Sequence, residues 1–250
     1  YGVADDCIVV ASESSVISNL HLESKDLEPG TMLFIDPNKP GYTIEKFASG
    51  KKSHCFFEYI YFSNNASICD GVSMYAAREK IGESLAQEEH IDTSDENLIV
   101  VPVPDTSYVA GSQYASSLQL PFILAIIKNH QVGRTFITGQ DRIEKIRMKF
   151  SFIKEKLKGK KVILIDDSIV RGSTLKGLVN VLKDWCEVDE VHVRIGCPPI
   201  TSPCFYGIDM PTIAELYAGN NTPNSEDFNA NSLKYILSLI HISEPTRRYS

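Results

Sequence analysis

Val162-Ile163-Leu164-Ile165-Asp166-Asp167-Ser168-Ile169-Val170-Arg171-Gly172-Ser173-Thr174 is an apolar strand that ends in two acids and a turn of small residues before a helix. In an open parallel sheet, ligands collect where strands end. Gly172 lets the backbone approach an anion closely, and the amides and hydroxyls of Ser173 and Thr174, at the helix N-terminus, can hold phosphate oxygens. Such a cradle needs little net positive charge.

Two adjacent carboxylates do not bind a phosphate themselves, because like charges in a shared site repel. Asp166 and Asp167 therefore call for another partner beside the anion. Ribose hydroxyls fit, since each carboxylate can accept their hydrogen bonds, and so does a magnesium ion held through water that also chelates a diphosphate. A sugar phosphate carrying a diphosphate meets all three demands. The other phosphate loop, GxxxxGK followed by Ser or Thr, is absent, as is the dinucleotide fingerprint GxGxxG, which weakens an NTPase or dehydrogenase reading. A bare helix cap would need one acid and not a pair.

Working outward, the chain alternates strand and helix. A helix with Asp70 as its N-cap and Val72, Tyr75, Ile81 and Leu85 on its apolar face is followed by a polar connection, Glu88 to Asn97. A buried strand from Leu98 to Val103 ends at Pro104. A helix over 108–118, strands over 122–127 and 162–165, a helix over 174–185 and a strand over 190–195 complete the pattern. This alternation predicts an α/β fold with a doubly wound parallel sheet. Residues 1–50 differ: short apolar runs at Cys7 to Ala11 and Met32 to Ile35, separated by Leu27-Glu28-Pro29-Gly30, read as antiparallel strand material. Between Lys128 and Lys161 the chain is rich in Lys and Arg, with Gly133 and Gly139 near Arg134 and Arg142. That composition suits a mobile basic loop and equally a solvated surface with a short amphipathic helix.

Composition is that of an ordinary globular protein. Its 25 Lys and Arg against 32 Asp and Glu give a net charge of −7, which argues against a generic nucleic-acid binder. The longest apolar stretch, Leu120 to Ile127, is far short of the roughly 20 residues of a membrane span. The start, Tyr1-Gly2-Val3, carries no readable secretory address, and the six cysteines form no CxxC pair. A cytoplasmic protein with reduced thiols, incomplete at its start, is the expectation.

The Asp166 to Thr174 stretch resembles the signature of type I phosphoribosyltransferases, and its variant DDSIVRGST is similar to that of the glutamine phosphoribosylpyrophosphate amidotransferase family. The runs Phe57 to Phe62, Val101-Pro102-Val103-Pro104-Asp105-Thr106-Ser107, Lys128 to Ile137, and Pro198-Pro199-Ile200 with Cys204 to Asp209 resemble that family in order. The resemblance implies the type I phosphoribosyltransferase fold at residues 51–237, an N-terminal β-rich remnant of an Ntn-hydrolase glutaminase domain at residues 1–50, and a non-native or divergent tail at 238–250. It implies substrate-binding roles for Asp166, Asp167, Ser168, Arg171, Gly172, Ser173 and Thr174, with Mg2+ at Asp166, Asp167 and Thr106. Lys128 and Lys149 match catalytic basic positions of a loop that closes over substrate, whereas His130 departs from the family's Arg. Cys55 and Cys204 match two of the four ligands of a 4Fe-4S cluster found in one branch.

The activity so implied is transfer of the phosphoribosyl group of 5-phosphoribosyl-1-pyrophosphate to ammonia, which intact members draw from glutamine, giving 5-phosphoribosylamine and diphosphate as the first committed step of purine synthesis. The catalytic N-terminal cysteine of the family's glutaminase half has no counterpart at Tyr1, so ammonia is the expected nitrogen source here. Purine nucleotides as inhibitors and a homo-oligomer, a tetramer, are implied as partners; nucleic acid and membrane are not. The alternative is a regulator of the same fold that senses phosphoribosylpyrophosphate without turning it over. A salvage transferase would need a base pocket that these residues do not identify.

Overall fold

The computed structural model describes residues 1–36, 38, 41–49, 52–129, 142–206 and 212–237. They form two compact units, one running up to Ala77 and one beginning at Arg78. The division falls later than the change of character at residue 50, because residues 63–70 bond back to the start of the chain. Glu13 accepts from the amide of Asn64 at 3.2 Å, Ser14 Oγ accepts from the amide of Ile68 at 2.7 Å, and the amide of Asp70 donates to Asp26 at 3.0 Å.

The first unit is built from small antiparallel pieces. β1 (Gly2–Val3) pairs with β2 (Ile8–Val9), and after the short helix α1 (Ser14–Asn19), β3 (Thr31–Phe34) pairs with β4 (Thr43–Lys46). A π-helical turn, Glu58–Phe62, precedes β5 (Ile68–Cys69) and β6 (Val72–Ser73), which also pair antiparallel. The strand material expected near residues 7–11 and 32–35 is present, and α1 lies between the two hairpins.

Asp70 is not the N-cap of the next helix. Asp70 and Gly71 take φ of 50° and 78° and turn the chain from β5 into β6. Asp-Gly with two positive φ angles is the chemistry of a two-residue hairpin, and that demand outweighs capping. The helix α2 (Met74–Gln87) starts four residues later, where Ser73 Oγ accepts from the amide of Ala76 at 3.3 Å. Its buried face is Met74, Ala77, Arg78, Ile81 and Leu85, at helical spacing, while Tyr75 is exposed.

The second unit continues with β7 (Leu98–Pro102), α3 (Tyr108–Leu118), β8 (Ile126–Lys128), α4 (Arg142–Lys149), β9 (Phe150–Phe152), α5 (Lys154–Leu157), β10 (Lys161–Asp166), α6 (Ser173–Asn180), β11 (Glu190–Ile195), α7 (Tyr217–Asn220) and β12 (Ser232–Tyr235). The parallel sheet has the order β12-β11-β10-β7, with Ile165 beside Pro102 and Asp166 beside Ile195. Three of its strands are sealed: Leu98 to Val101, Val162 to Ile165, and Val191, Val193 and Ile195 are all buried. Each such side chain contributes about 1.5–3 kcal/mol on leaving water.

One strand expectation changes, and one strand was not foreseen. Over 122–127 only Phe122 bridges Val100 in parallel; the amide of Ala125 then donates to the carbonyl of Ile123 at 2.9 Å, and the chain bends away so that β8 pairs antiparallel with β9. The apolar run hides that bend. β12, a half-buried edge strand of mixed composition, carried no signal. The helix expected over 174–185 is α6 continued by a π-helical turn, Val181–Trp185.

A buried charge cluster ties this unit together. Arg194 Nε lies 2.5 Å from Glu89 Oε2, both side chains being 2% exposed, and Tyr114 Oη donates to the same oxygen at 2.6 Å. Burial alone would push the Glu89 carboxyl up, but the hydrogen bonds from Arg194 and Tyr114 hold it well below the usual carboxylate range.

Candidate active site

From β7 the chain passes first to Phe122 on one side of that strand and later to β10 on the other. The winding therefore reverses between β7 and β10, and the space beyond their C-terminal ends is where an open α/β sheet binds ligands. The β7 end supplies Asp105, Thr106 and Ser107; the β10 end supplies Asp166 through Thr174. The two loops meet. Thr106 Oγ1 donates to Asp167 Oδ2, Ser168 Oγ donates to Asp167 Oδ1 at 2.6 Å, and the amide of Asp167 donates to Asp166 Oδ1 at 3.0 Å.

Of the two basic candidates, Lys128 contacts this site and Lys149 acts on it through its charge. Lys128, the last residue of β8, makes an ion pair of 2.7 Å with Asp105. Lys149, the last residue of α4, stands 5.1 Å from the centre of the Phe150 ring, and its charge acts on Asp166. His130, Gly133, Arg134 and Gly139 lie outside the described residues, so the expectation of a closing loop falls mostly there. The flanking α4, with Ile146 buried, supplies the short amphipathic helix that composition allowed.

The acid pair is electrostatically frustrated without a cation. Burial, and then the charge of Asp167, push the Asp166 carboxyl well above its ordinary range. Burial also raises Asp167, against the hydroxyls of Ser168 and Thr106 and the charge of Arg78. The buried thiol of Cys197 is pushed up to about 12 by burial and by Asp167. Among the described residues no group of three or more His, Cys, Asp or Glu is arranged to hold a metal ion. Two carboxylates suit a cation that takes its other ligands from water and substrate oxygens, as magnesium does.

Gly172 precedes α6 with φ 74°, and a Cβ there would come within 2.9 Å of Phe228 Cε1, so both conformation and space exclude a side chain. Ser173 and Thr174 open α6 and are exposed, and the amides of a first helical turn have no partner inside the helix. Arg171 turns elsewhere: its Nε and Nη2 lie 2.9 Å and 2.6 Å from Glu215 Oε2. A cavity of about 300 Å³ is lined by Arg171, Gly172, Ser173, Lys176, Tyr217 and Phe228, among others.

Sequence reasoning passed over Asp105, Arg78, Glu215 and Phe228. Asp105 stood inside a quoted motif and could have been singled out as a carboxylate beside Thr106. The other three carry no local signal. Cys55 is exposed in the first unit, and Cys204, in the second, is half-buried with its Sγ accepting from the amide of Tyr206 at 3.3 Å.

A family model, the phosphoribosyl transferase domain, matches residues 71–195, half of the chain. The chain belongs to the phosphoribosyltransferase family. Its parallel sheet is accordingly a type I phosphoribosyltransferase sheet, with Thr106 and the Asp166 to Thr174 loop inside the matched segment. The chain is 41% identical over 222 residues to an amidophosphoribosyltransferase of Methanothermobacter thermautotrophicus, covering 88% of this chain and 45% of that one. With the Bacillus subtilis amidophosphoribosyltransferase it shares 39% identity over 243 residues, covering 94% and 49%. Among solved structures, the glutamine phosphoribosylpyrophosphate amidotransferase of B. subtilis complexed with ADP and GMP superposes with a TM-score of 0.81 at 38% identity, covering 94% of this chain and 51% of that one. The chain spans about half the length of the curated relatives it matches.

Proposed function

We propose that this chain carries the phosphoribosyl-transfer half of an amidophosphoribosyltransferase. Ammonia attacks C1 of 5-phosphoribosyl-1-pyrophosphate. The nitrogen lone pair forms the new bond, the C1–oxygen bond breaks with its electrons leaving on diphosphate, and the nitrogen gives a proton to solvent. The observation that supports this reading most is the meeting, at the tip of one strand, of a half-buried acid pair and a glycine-turned helix start, opposite Thr106 from the neighbouring strand.

In this reading Ser173 and Thr174 hold the 5-phosphate, and Asp166 and Asp167 accept hydrogen bonds from the ribose hydroxyls and hold hydrated magnesium. Thr106 stands beside the diphosphate, where Lys128 and Lys149 offset the charge that develops as it departs. Magnesium, when bound, supplies further positive charge to the leaving oxygens. Nothing among the described residues supports a 4Fe-4S cluster, which takes four thiolates, of which Cys55 and Cys204 could supply two. No step depends on one.

An alignment covering 94% of this chain runs well ahead of residue 71, which supports taking residues 1–50 as part of a glutaminase domain. The ADP and GMP bound to the B. subtilis amidotransferase support purine nucleotides as ligands that act as inhibitors; a homo-oligomeric assembly and a cytoplasmic setting are part of the same proposal. No helix among the described residues is long and apolar enough to cross a membrane. The test is diphosphate release by the purified chain with phosphoribosylpyrophosphate, magnesium and ammonium at alkaline pH, where free ammonia is abundant. Release that depends on all three is expected; none above background would overturn the proposal.

A further inference from the structure

Val170, Arg171 and Gly172, three consecutive residues of the phosphate loop, are each held by a different residue from one segment far downstream. The carbonyl of Val170 accepts from the amide of Tyr217 at 2.8 Å. The guanidinium of Arg171 pairs with Glu215. Gly172 lies against the ring of Phe228, itself 2% exposed. That segment is internally fixed: Tyr217 and Phe228 pack edge to face at 4.7 Å, Tyr217 Oη donates to Asp227 at 2.7 Å, and the amide of Asp227 donates to Asn224 Oδ1 at 2.9 Å. It also lies beyond the segment matched by the family model, which ends at residue 195.

We infer that residues 215–228 form a strap that sets the position of the phosphate loop, with Glu215, Tyr217 and Phe228 as positioning residues for the phosphate end of the substrate. The physical reason is that residues 168–172 belong to no helix or strand, so nothing in their own backbone pattern aims the amides of Ser173 and Thr174. A binding constellation must be held to about half an ångström to work, and supporting contacts are what hold it. A backbone bond, an ion pair and a ring on successive residues remove the loop's freedom to pivot. Arg171 thus acts toward Glu215, and the anion is left to the helix start.

This inference rests on the proposed function, and its test separates the two ends of the substrate. Calorimetric titration of the full chain with ribose 5-phosphate probes the phosphate end, and inorganic diphosphate with magnesium probes the other. Glu215→Gln should weaken ribose 5-phosphate about two- to fivefold, the scale of a partly exposed ion pair. Phe228→Ala should weaken it about ten- to a hundredfold, the cost of a misplaced binding group. Diphosphate affinity should hold within about twofold in both. The charge swap Arg171→Glu with Glu215→Arg should regain most of the loss. Equal binding of ribose 5-phosphate in all variants, or equal weakening of both probes, overturns the strap. If the unaltered chain binds neither probe, the proposed function fails. Hydrogen exchange then still decides the strap, because the amides of residues 171–175 must exchange faster in Glu215→Gln, and unchanged exchange overturns it.

Discussion

The two units bury their apolar residues to very different degrees. In the second, Val100, Ile163, Leu164 and Val193 have no solvent exposure: β10 and β11 have a strand on either side, and Val100 of β7 is flanked by β10 and by its bridge to Phe122. In the first, Phe34 is 45% and Phe47 68% exposed, and among the described residues the β3–β4 hairpin has no third strand. A two-stranded hairpin is marginal on its own in water, whereas a four-stranded sheet between helices seals a core. Site chemistry follows the same division. The acid pair sits at the end of β10, whose four middle residues have no solvent exposure, so the cost of crowding two carboxylates there is outweighed by the surrounding packing.

The largest effect expected from breaking that arrangement is functional. Asp166→Asn or Asp167→Asn should lower turnover about a hundredfold or more, since each removes a charge from a desolvated site without changing volume. Steady-state assay with magnesium and phosphoribosylpyrophosphate checks it, and full activity in both variants would refute the site. Stability should move the other way. A carboxyl whose folded-state pKa is raised contributes stability that is fully present below the unfolded value and is lost as pH rises through the folded one. Without divalent cations, Asp166→Asn should therefore melt higher than the unaltered chain near neutral pH, with the gap closing toward about pH 4. Melting curves across that range would test the sign.

Next in size is the buried ion cluster. Glu89→Ala should destabilise the second unit by about 3–5 kcal/mol, because Arg194 is left buried without its carboxylate. Denaturant unfolding reads this directly, and a loss below about 1 kcal/mol would mean that Arg194 finds other partners. The corresponding cut in the first unit, Glu13→Ala, removes a carboxylate that accepts from Ser67 and the amide of Asn64 at a partly exposed position, and should cost only about 1 kcal/mol. Smallest to perturb but sharpest as a map is native-state hydrogen exchange. Amides of β10 and β11 should exchange through opening of the whole unit, and those of β3 and β4 through local opening. Equal protection in the two regions would contradict the contrast drawn from burial.

Much of this was legible in linear sequence where the signal is local. The run from Val162 to Thr174 announces a buried strand, an acid pair and an anion-binding helix start, and each depends on residues within a few positions of one another. The same holds for α3 and β11, whose bounds were read to the residue. Local reading failed where two local rules competed, as at Asp70, whose hairpin chemistry with Gly71 displaced the helix cap, and along 122–127, where an apolar run bends after a single bridge.

Contacts made at long range were decided by tertiary structure alone. That Thr106 donates to Asp167, that Lys128 pairs with Asp105, and that Glu215, Tyr217 and Phe228 grip Val170 to Gly172 follow from the strand order β12-β11-β10-β7 and the reversal of winding between β7 and β10. Strand order is set by which buried faces pack best together, a property of the whole sheet. A linear chain states which side chains end each strand, but only the packed sheet determines which ends become neighbours.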